Sequence, residues 1–166
     1  RSGRLSDGMV QMNRATFTAL SMTTTSYNCQ LPKEVVWRMP GREIFQVERR
    51  VLVADDDISS SNAIVLALQD AGFFARAAYT GIDTVHAAKA FAPGVVLVDL
   101  LMPLGDGWEV ADALRAKPDP PMLIAHTSVS TYPELVRCQQ AGFDAYFAKP
   151  CDLDRLIELL NACFSQ

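Results

Sequence analysis

From residue 51 onward the sequence predicts an α/β fold, a parallel sheet with helices on both faces. Three observations predict it. Short apolar runs alternate with helix-patterned stretches five times between Val51 and the C-terminus, and that alternation builds a parallel sheet joined by helical crossovers. The run Val95-Val96-Leu97-Val98 has no polar alternation, the mark of a strand buried on both faces. Four of the five runs are followed by acidic, hydroxyl or basic residues, at the strand ends where open α/β sheets place their working sites.

The elements follow in order. Val51-Leu52-Val53-Ala54 is the first strand, ending in Asp55-Asp56-Asp57. Residues 59–71 read as a helix, with Ile64, Leu68 and Ala71 at helical spacing and Gly72 as the stop. Phe74 to Ala78 is the second strand and Gly81 to Ala90 a weaker helix. Val95 to Val98 is the third strand, closed by Asp99. Gly107 to Ala116 is a helix with Trp108, Ala111 and Leu114 on one side. Met122 to Ala125 is the fourth strand, followed by His126-Thr127-Ser128. Thr131 and Glu134 have capping-box spacing and open a helix that runs to Gly142. Ala145 to Ala148 is the fifth strand, ending at Lys149-Pro150. The last helix starts near Asp152, with Leu153, Leu156, Ile157 and Leu160 as its inner stripe.

Composition narrows the function classes. The chain has 166 residues, 49% hydrophobic and 20% charged, the balance of a globular chain. A net charge of −4 argues against a nucleic-acid binder. No apolar run reaches the ~18 residues of a membrane span. Four cysteines without a C-x-x-C pair, and only His86 and His126, argue against a structural zinc site. Free thiols in a reducing cytoplasm are the expectation.

The charge is unevenly placed. Residues 1–50 carry +4 and residues 51–166 carry −8. The first stretch also holds the polar run Ser21 to Ser26 and has no sustained periodicity. We therefore divide the chain into an extension over 1–49 (linker, tail or the end of an upstream module) and a folded domain over 50–166. The start Arg1-Ser2-Gly3 reads as a piece of a longer protein.

Strand-end residues should converge in this architecture: Asp55, Asp56 and Asp57, then Asp99, then Thr127 and Ser128, then Lys149. Clustered carboxylates raise one another's pKa unless a cation joins them. A hard divalent ion such as Mg²⁺, which prefers oxygen ligands, supplies that charge most simply. A carboxylate beside a metal, a lysine and a hydroxyl suits acceptance of a phosphoryl group, because cations and donors offset charge on its oxygens. No Gly-rich phosphate loop is present, so a bound nucleotide is not expected.

These residues resemble the receiver domain of two-component response regulators. The likeness rests on Asp55-Asp56, on Asp99-Leu100-Leu101-Met102-Pro103 with Asp106-Gly107, on Thr127-Ser128, and on Lys149-Pro150. It covers 51–164 and none of residues 1–50. It implies a flavodoxin-like doubly wound sheet of five parallel strands, order 2-1-3-4-5, with five helices. It implies that Asp99 accepts a phosphoryl group from the phosphohistidine of a histidine kinase or histidine phosphotransfer protein. Asp55, Asp56, Asp99 and the backbone carbonyl of Leu101 would hold Mg²⁺ or Mn²⁺. Thr127 and Lys149 would bind the phosphoryl group. Thr127 and Tyr146 would form the switch, Tyr146 turning inward on activation, and the bond before Pro150 would be cis. Output would reach an effector protein through the face made by the helix after Thr131, the strand 145–148 and the last helix. Some family members pair through that face, which leaves a homodimer open. Such a domain catalyses its own phosphorylation and slow dephosphorylation but is chiefly a signalling module.

The chain closes two residues after Phe164, which points output toward a partner, toward residues 1–50 or toward an upstream region. The stretch Gly41 to Val47 weakly resembles the final strand of a histidine-kinase ATPase module. A stand-alone regulator and the C-terminal receiver of a hybrid kinase therefore both fit. Two other readings compete. Asp55-x-Asp57 has the spacing of haloacid-dehalogenase-like phosphatases, with Asp55 as nucleophile and Asp57 as acid/base, but this leaves Asp99-x-x-Met102-Pro103 unexplained. A docking pseudo-receiver would bind no Mg²⁺. Asp57 taken alone is a helix cap, His126 a neutral packed residue, and Met102, Trp108 and Phe143 packing. Leu101 and Val129 lie two residues beyond Asp99 and Thr127 and are both apolar. By the resemblance they would flank the phosphoryl group, and slow self-hydrolysis is the expectation.

Overall fold

The computed structural model describes residues 10–11, 31–39 and 48–164. Its strands are β1 (Val10–Gln11), β2 (Glu34–Val36), β3 (Arg50–Ala54), β4 (Phe74–Ala78), β5 (Val95–Val98), β6 (Met122–Thr127) and β7 (Ala145–Ala148). Its helices are α1 (Ile58–Asp70), α2 (Gly81–Phe91), α3 (Gly107–Arg115), α4 (Tyr132–Gln140) and α5 (Leu153–Phe164). Every helix from α1 to α4 starts on an extended residue whose side chain accepts backbone N–H bonds: Asp57, Thr80, Asp106 and Thr131. At Asp106 the cap is reciprocal, because Glu109 reaches back to the cap's own N–H.

One sheet carries the fold, in the order β1-β2-β7-β6-β5-β3-β4. The five strands after residue 49 run β4-β3-β5-β6-β7 and pair in parallel. The five-stranded, wholly parallel expectation needs correction: the sheet has seven strands, and β2 lies antiparallel on the β7 edge. A three-residue strand has no periodicity to read, and its partner lies more than a hundred residues away. Residues 34–36 therefore belong to the same sheet as the domain that follows them. The runs Ser21–Ser26 and Gly41–Val47 lie outside the described residues.

Strand alternation divides the core between the two faces of the sheet. Val35, Leu52, Val96, Val98, Leu123 and Tyr146 face α3 and α4, meeting Val110, Leu114 and Leu135. Val36, Val51, Val53, Leu97, Ile124 and Phe147 face α1 and α5, meeting Ile64, Leu68, Leu156 and Leu160. Trp108 and Phe143 make an edge-on aromatic pair at 5.9 Å, with Arg137 over the Trp108 ring; Met102 is buried in the same cluster. Both faces of β5 are covered, which explains its unbroken apolar run.

Candidate phosphoryl-acceptor site

The sheet brings four strand ends together. Main-chain bonds set their level: Asp55 N–H donates to Ala78 O (3.0 Å), Asp99 N–H to Ala54 O (2.8 Å) and Lys149 N–H to Thr127 O (2.9 Å). Parallel neighbours in register therefore release Asp55, Asp99, Thr127 and Lys149 at one edge of the sheet.

Asp55, Asp56 and Asp99 each offer a carboxylate oxygen, and these oxygens lie within 4.8 Å of one another. Asp55 and Asp99 are buried and Asp56 is exposed. Asp55 Oδ1 accepts from Asp57 N–H (3.0 Å) and Asp99 Oδ1 from Leu101 N–H (3.1 Å), which fixes both carboxylates. Lys149 Nζ stands 2.5 Å from Asp99 Oδ2 and 2.8 Å from Asp55 Oδ2. It hydrogen-bonds Asp99 and forms an ion pair with Asp55.

Burial drives the Asp99 pKa up, and the Lys149 ammonium and Leu101 N–H only partly offset this. For Lys149 burial alone would favour the neutral amine, but the carboxylates of Asp55 and Asp99 beside it outweigh this and raise its pKa. Three clustered carboxylates against one ammonium leave net negative charge facing the solvent side. An all-oxygen donor set of that charge fits a hard divalent cation.

Thr127 is buried, and its Oγ1 accepts from Val129 N–H at 3.2 Å, which leaves the hydroxyl proton free to donate. Tyr146 is fully enclosed, and its hydroxyl donates to Val129 O at 3.3 Å. The Lys149–Pro150 peptide bond is cis. The loop after Asp99 folds back tightly: Leu104 and Gly105 adopt positive φ, and Gly107 packs so closely that a Cβ there would lie 2.4 Å from Asp99 O.

Asp57 is not part of the cluster. It caps α1, accepting from Ser59 and Ser60 N–H at 2.9 and 3.1 Å. His126 is the neutral, packed residue expected, and the structure places it beside the site; Asp144 is an addition. His126 is buried, with Nδ1 4.0 Å from Asp55 Oδ2. Burial, then the nearby Lys149 ammonium, push its pKa down to about 4, so the ring is neutral. Asp144 ties three segments: its carboxylate accepts from Leu123 N–H (2.9 Å), Arg38 Nε (2.5 Å) and Arg115 Nη2. No local pattern signals this, because its partners come from β6, α3 and the segment beyond β2.

The fold and the strand-end cluster define a receiver of the α/β type. The family described as response regulator receiver domain matches residues 51–161, and the chain belongs to that family. It is 29% identical over 113 residues to the response regulator MprA of Mycobacterium ulcerans, covering 68% of this chain and 49% of that protein. The chain thus matches about half the length of its curated relatives. Among solved structures, the Francisella response regulator 1452 receiver domain superposes with a TM-score of 0.66 at 25% identity, over 70% of this chain and 96% of that one. The chemotaxis response regulator CheY4 of Vibrio cholerae gives 0.63 at 24%, over 69% and 97%, a likeness of fold. The chain therefore contains a response regulator receiver domain, the signalling module of two-component systems. Receivers of this family bind Mg²⁺ at an acidic pocket, and response regulators act with histidine kinases and effectors. Among the described residues no helix is long and apolar enough to cross a membrane.

Proposed function

We propose that this receiver takes a phosphoryl group from a phosphohistidine onto Asp99, with Mg²⁺ or Mn²⁺ held by Asp55, Asp56, Asp99 and the carbonyl of Leu101. The observation that carries the reading is the Lys149 ammonium set between Asp55 and Asp99, 2.8 and 2.5 Å from their carboxylates. An Asp99 oxygen attacks phosphorus; a P–O bond forms as the P–N bond breaks, and the electron pair stays with the donor imidazole. The divalent ion supplies charge stabilisation for the phosphoryl oxygens. Lys149 neutralises the same oxygens, and Thr127 donates its free hydroxyl proton to one of them.

The donor would be a histidine kinase or histidine phosphotransfer protein. Output would pass to an effector at the α4–β7–α5 face, in the cytoplasm; β2 covers the β7 edge of that face, so an effector there would meet α4, α5 and residues 31–39, with residues 50–166 as the receiver. Asp57 is spent as a helix cap, which counts against a phosphatase using Asp55 and Asp57.

Intact-mass spectrometry after incubation with acetyl phosphate and Mg²⁺ tests the proposal. The parent should gain about 80 Da, one phosphoryl group, in a hydroxylamine-sensitive form, and Asp99→Asn should not. No gain together with no Mg²⁺ binding would leave a docking module. Turnover of a phosphate monoester that survives Asp99→Asn and is lost in Asp55→Asn would favour the phosphatase.

A further inference from the structure

The segment over 31–39 closes the β7 edge from outside. Val35 pairs across from Tyr146, and the two side chains share one cluster with Leu31 and Trp37. Val36 and Met39 pack on the opposite face. Main-chain bonds fasten both ends: Ala148 N–H donates to Lys33 O (2.7 Å), and Trp37 and Arg38 N–H donate to Asp144 O (2.8 and 3.1 Å). Arg38 Nε adds an ionic hydrogen bond to Asp144 Oδ1 at 2.5 Å. One of these bonds reaches the residue directly before Lys149.

A short path runs from this segment to the site. Val35 backs Tyr146; the Tyr146 hydroxyl holds Val129 O; Val129 N–H holds Thr127 Oγ1. Anything that keeps Tyr146 inward keeps Thr127 oriented with its proton free. With β2 in place, Tyr146 is fully enclosed and Val35 lies across from it on the edge side.

We infer that residues 31–39 are a built-in strap, acting through Tyr146 to hold Thr127 ready for a phosphoryl group, with Val35 and Arg38 as positioning residues. The inference rests on the role proposed above for Thr127. Strap docking and phosphoryl binding are then linked, and each strengthens the other by the same factor. The Asp99 chemistry gains a direct route to the N-terminal part of the chain, without first passing through a partner at β7.

Beryllofluoride, a phosphoryl mimic, tests this in the full chain at saturating Mg²⁺, read by tryptophan fluorescence. Val35→Ala and Arg38→Ala should each weaken beryllofluoride binding by about 5-fold or more, while Mg²⁺ affinity alone stays at the parental value. Val35→Ile should bind like the parent. Beryllofluoride should slow hydrogen exchange at the Trp37 and Arg38 amides. Equal beryllofluoride affinity in parent and both variants overturns the strap, as does unchanged or faster exchange at those amides while the Leu101 amide responds. If Val35→Ala fails to fold, the exposed Arg38 position decides alone. A parent that binds Mg²⁺ but no beryllofluoride overturns the phosphoryl-acceptor reading itself, and the strap's role with it.

Discussion

Lys149 Nζ lies 2.5 Å from Asp99 Oδ2, and this contact joins the end of β7 to the end of β5, fifty residues earlier in the chain. A second carboxylate, that of Asp55, shares the same ammonium. The strand ends are thus held together by charge as well as by the sheet, and removing the lysine has two separable consequences.

Lys149→Met leaves Asp55 and Asp99 without their cation. Stability in the absence of divalent ions should fall, and saturating Mg²⁺ should narrow the gap to the parent, since the metal replaces the lost charge. Labelling by acetyl phosphate should slow about 10- to 100-fold, the loss of one charge-assisted hydrogen bond in the transition state. Thermal melts with and without Mg²⁺, and mass-spectrometric labelling rates, check both. A labelling rate equal to the parent's would remove Lys149 from the chemistry.

His126 makes stability depend on pH. Its folded pKa is about 4, against an ordinary value of 6.5. Between those values the unfolded chain binds a proton that the folded one refuses, so stability rises with pH there. The contribution is full above pH 6.5 and is lost as pH falls toward 4, about 3 kcal/mol in all. Urea titrations at intervals from pH 7 to pH 4 should show a steeper decline for the parent than for His126→Gln. Parallel declines would contradict the buried neutral ring.

Gly107 sets the approach of α3 to the acceptor loop. A Cβ there would meet Asp99 O at 2.4 Å and Leu100 Cα at 2.7 Å, both backbone. Gly107→Ala should cost about 1–3 kcal/mol through overpacking and also slow labelling, because the displaced backbone carries Asp99. A variant as stable and as readily labelled as the parent would show that the loop yields freely.

If Asp99 accepts a phosphoryl group as proposed, Leu101 and Val129 should bear on the lifetime of the aspartyl phosphate. Neither side chain has a polar atom to orient an attacking water, and Leu101 is exposed beside the site. The double change Leu101→Asn, Val129→Glu should shorten the half-life of the phosphoform by about tenfold, roughly 1.4 kcal/mol of barrier. Loss of the added mass over time measures it, and an unchanged half-life would place water control elsewhere.

Much of this was legible in the residues. Five apolar runs and their helices appear where the period of the pattern puts them, because strand and helix alternation is local and each run is long enough to show it. Of the polar residues at the run ends, Asp55, Asp99, Thr127 and Lys149 come out on one edge as parallel strands require, while Asp57 turns away to cap α1. Asp57 was readable as a cap for the same local reason.

The tertiary structure decided what depends on distant pairing. Glu34-Val35-Val36 is too short to announce a strand, and only the exposed hydrogen-bonding edge of β7 makes it one. Asp144 looks like any acidic residue before an apolar run until Arg38, Arg115 and Leu123 meet it. The depressed pKa of His126 exists only because the folded sheet takes its ring out of water. Local periodicity is written along the chain; edge pairing, shared ion pairs and desolvation arise between segments, and a sequence read in order carries no trace of them.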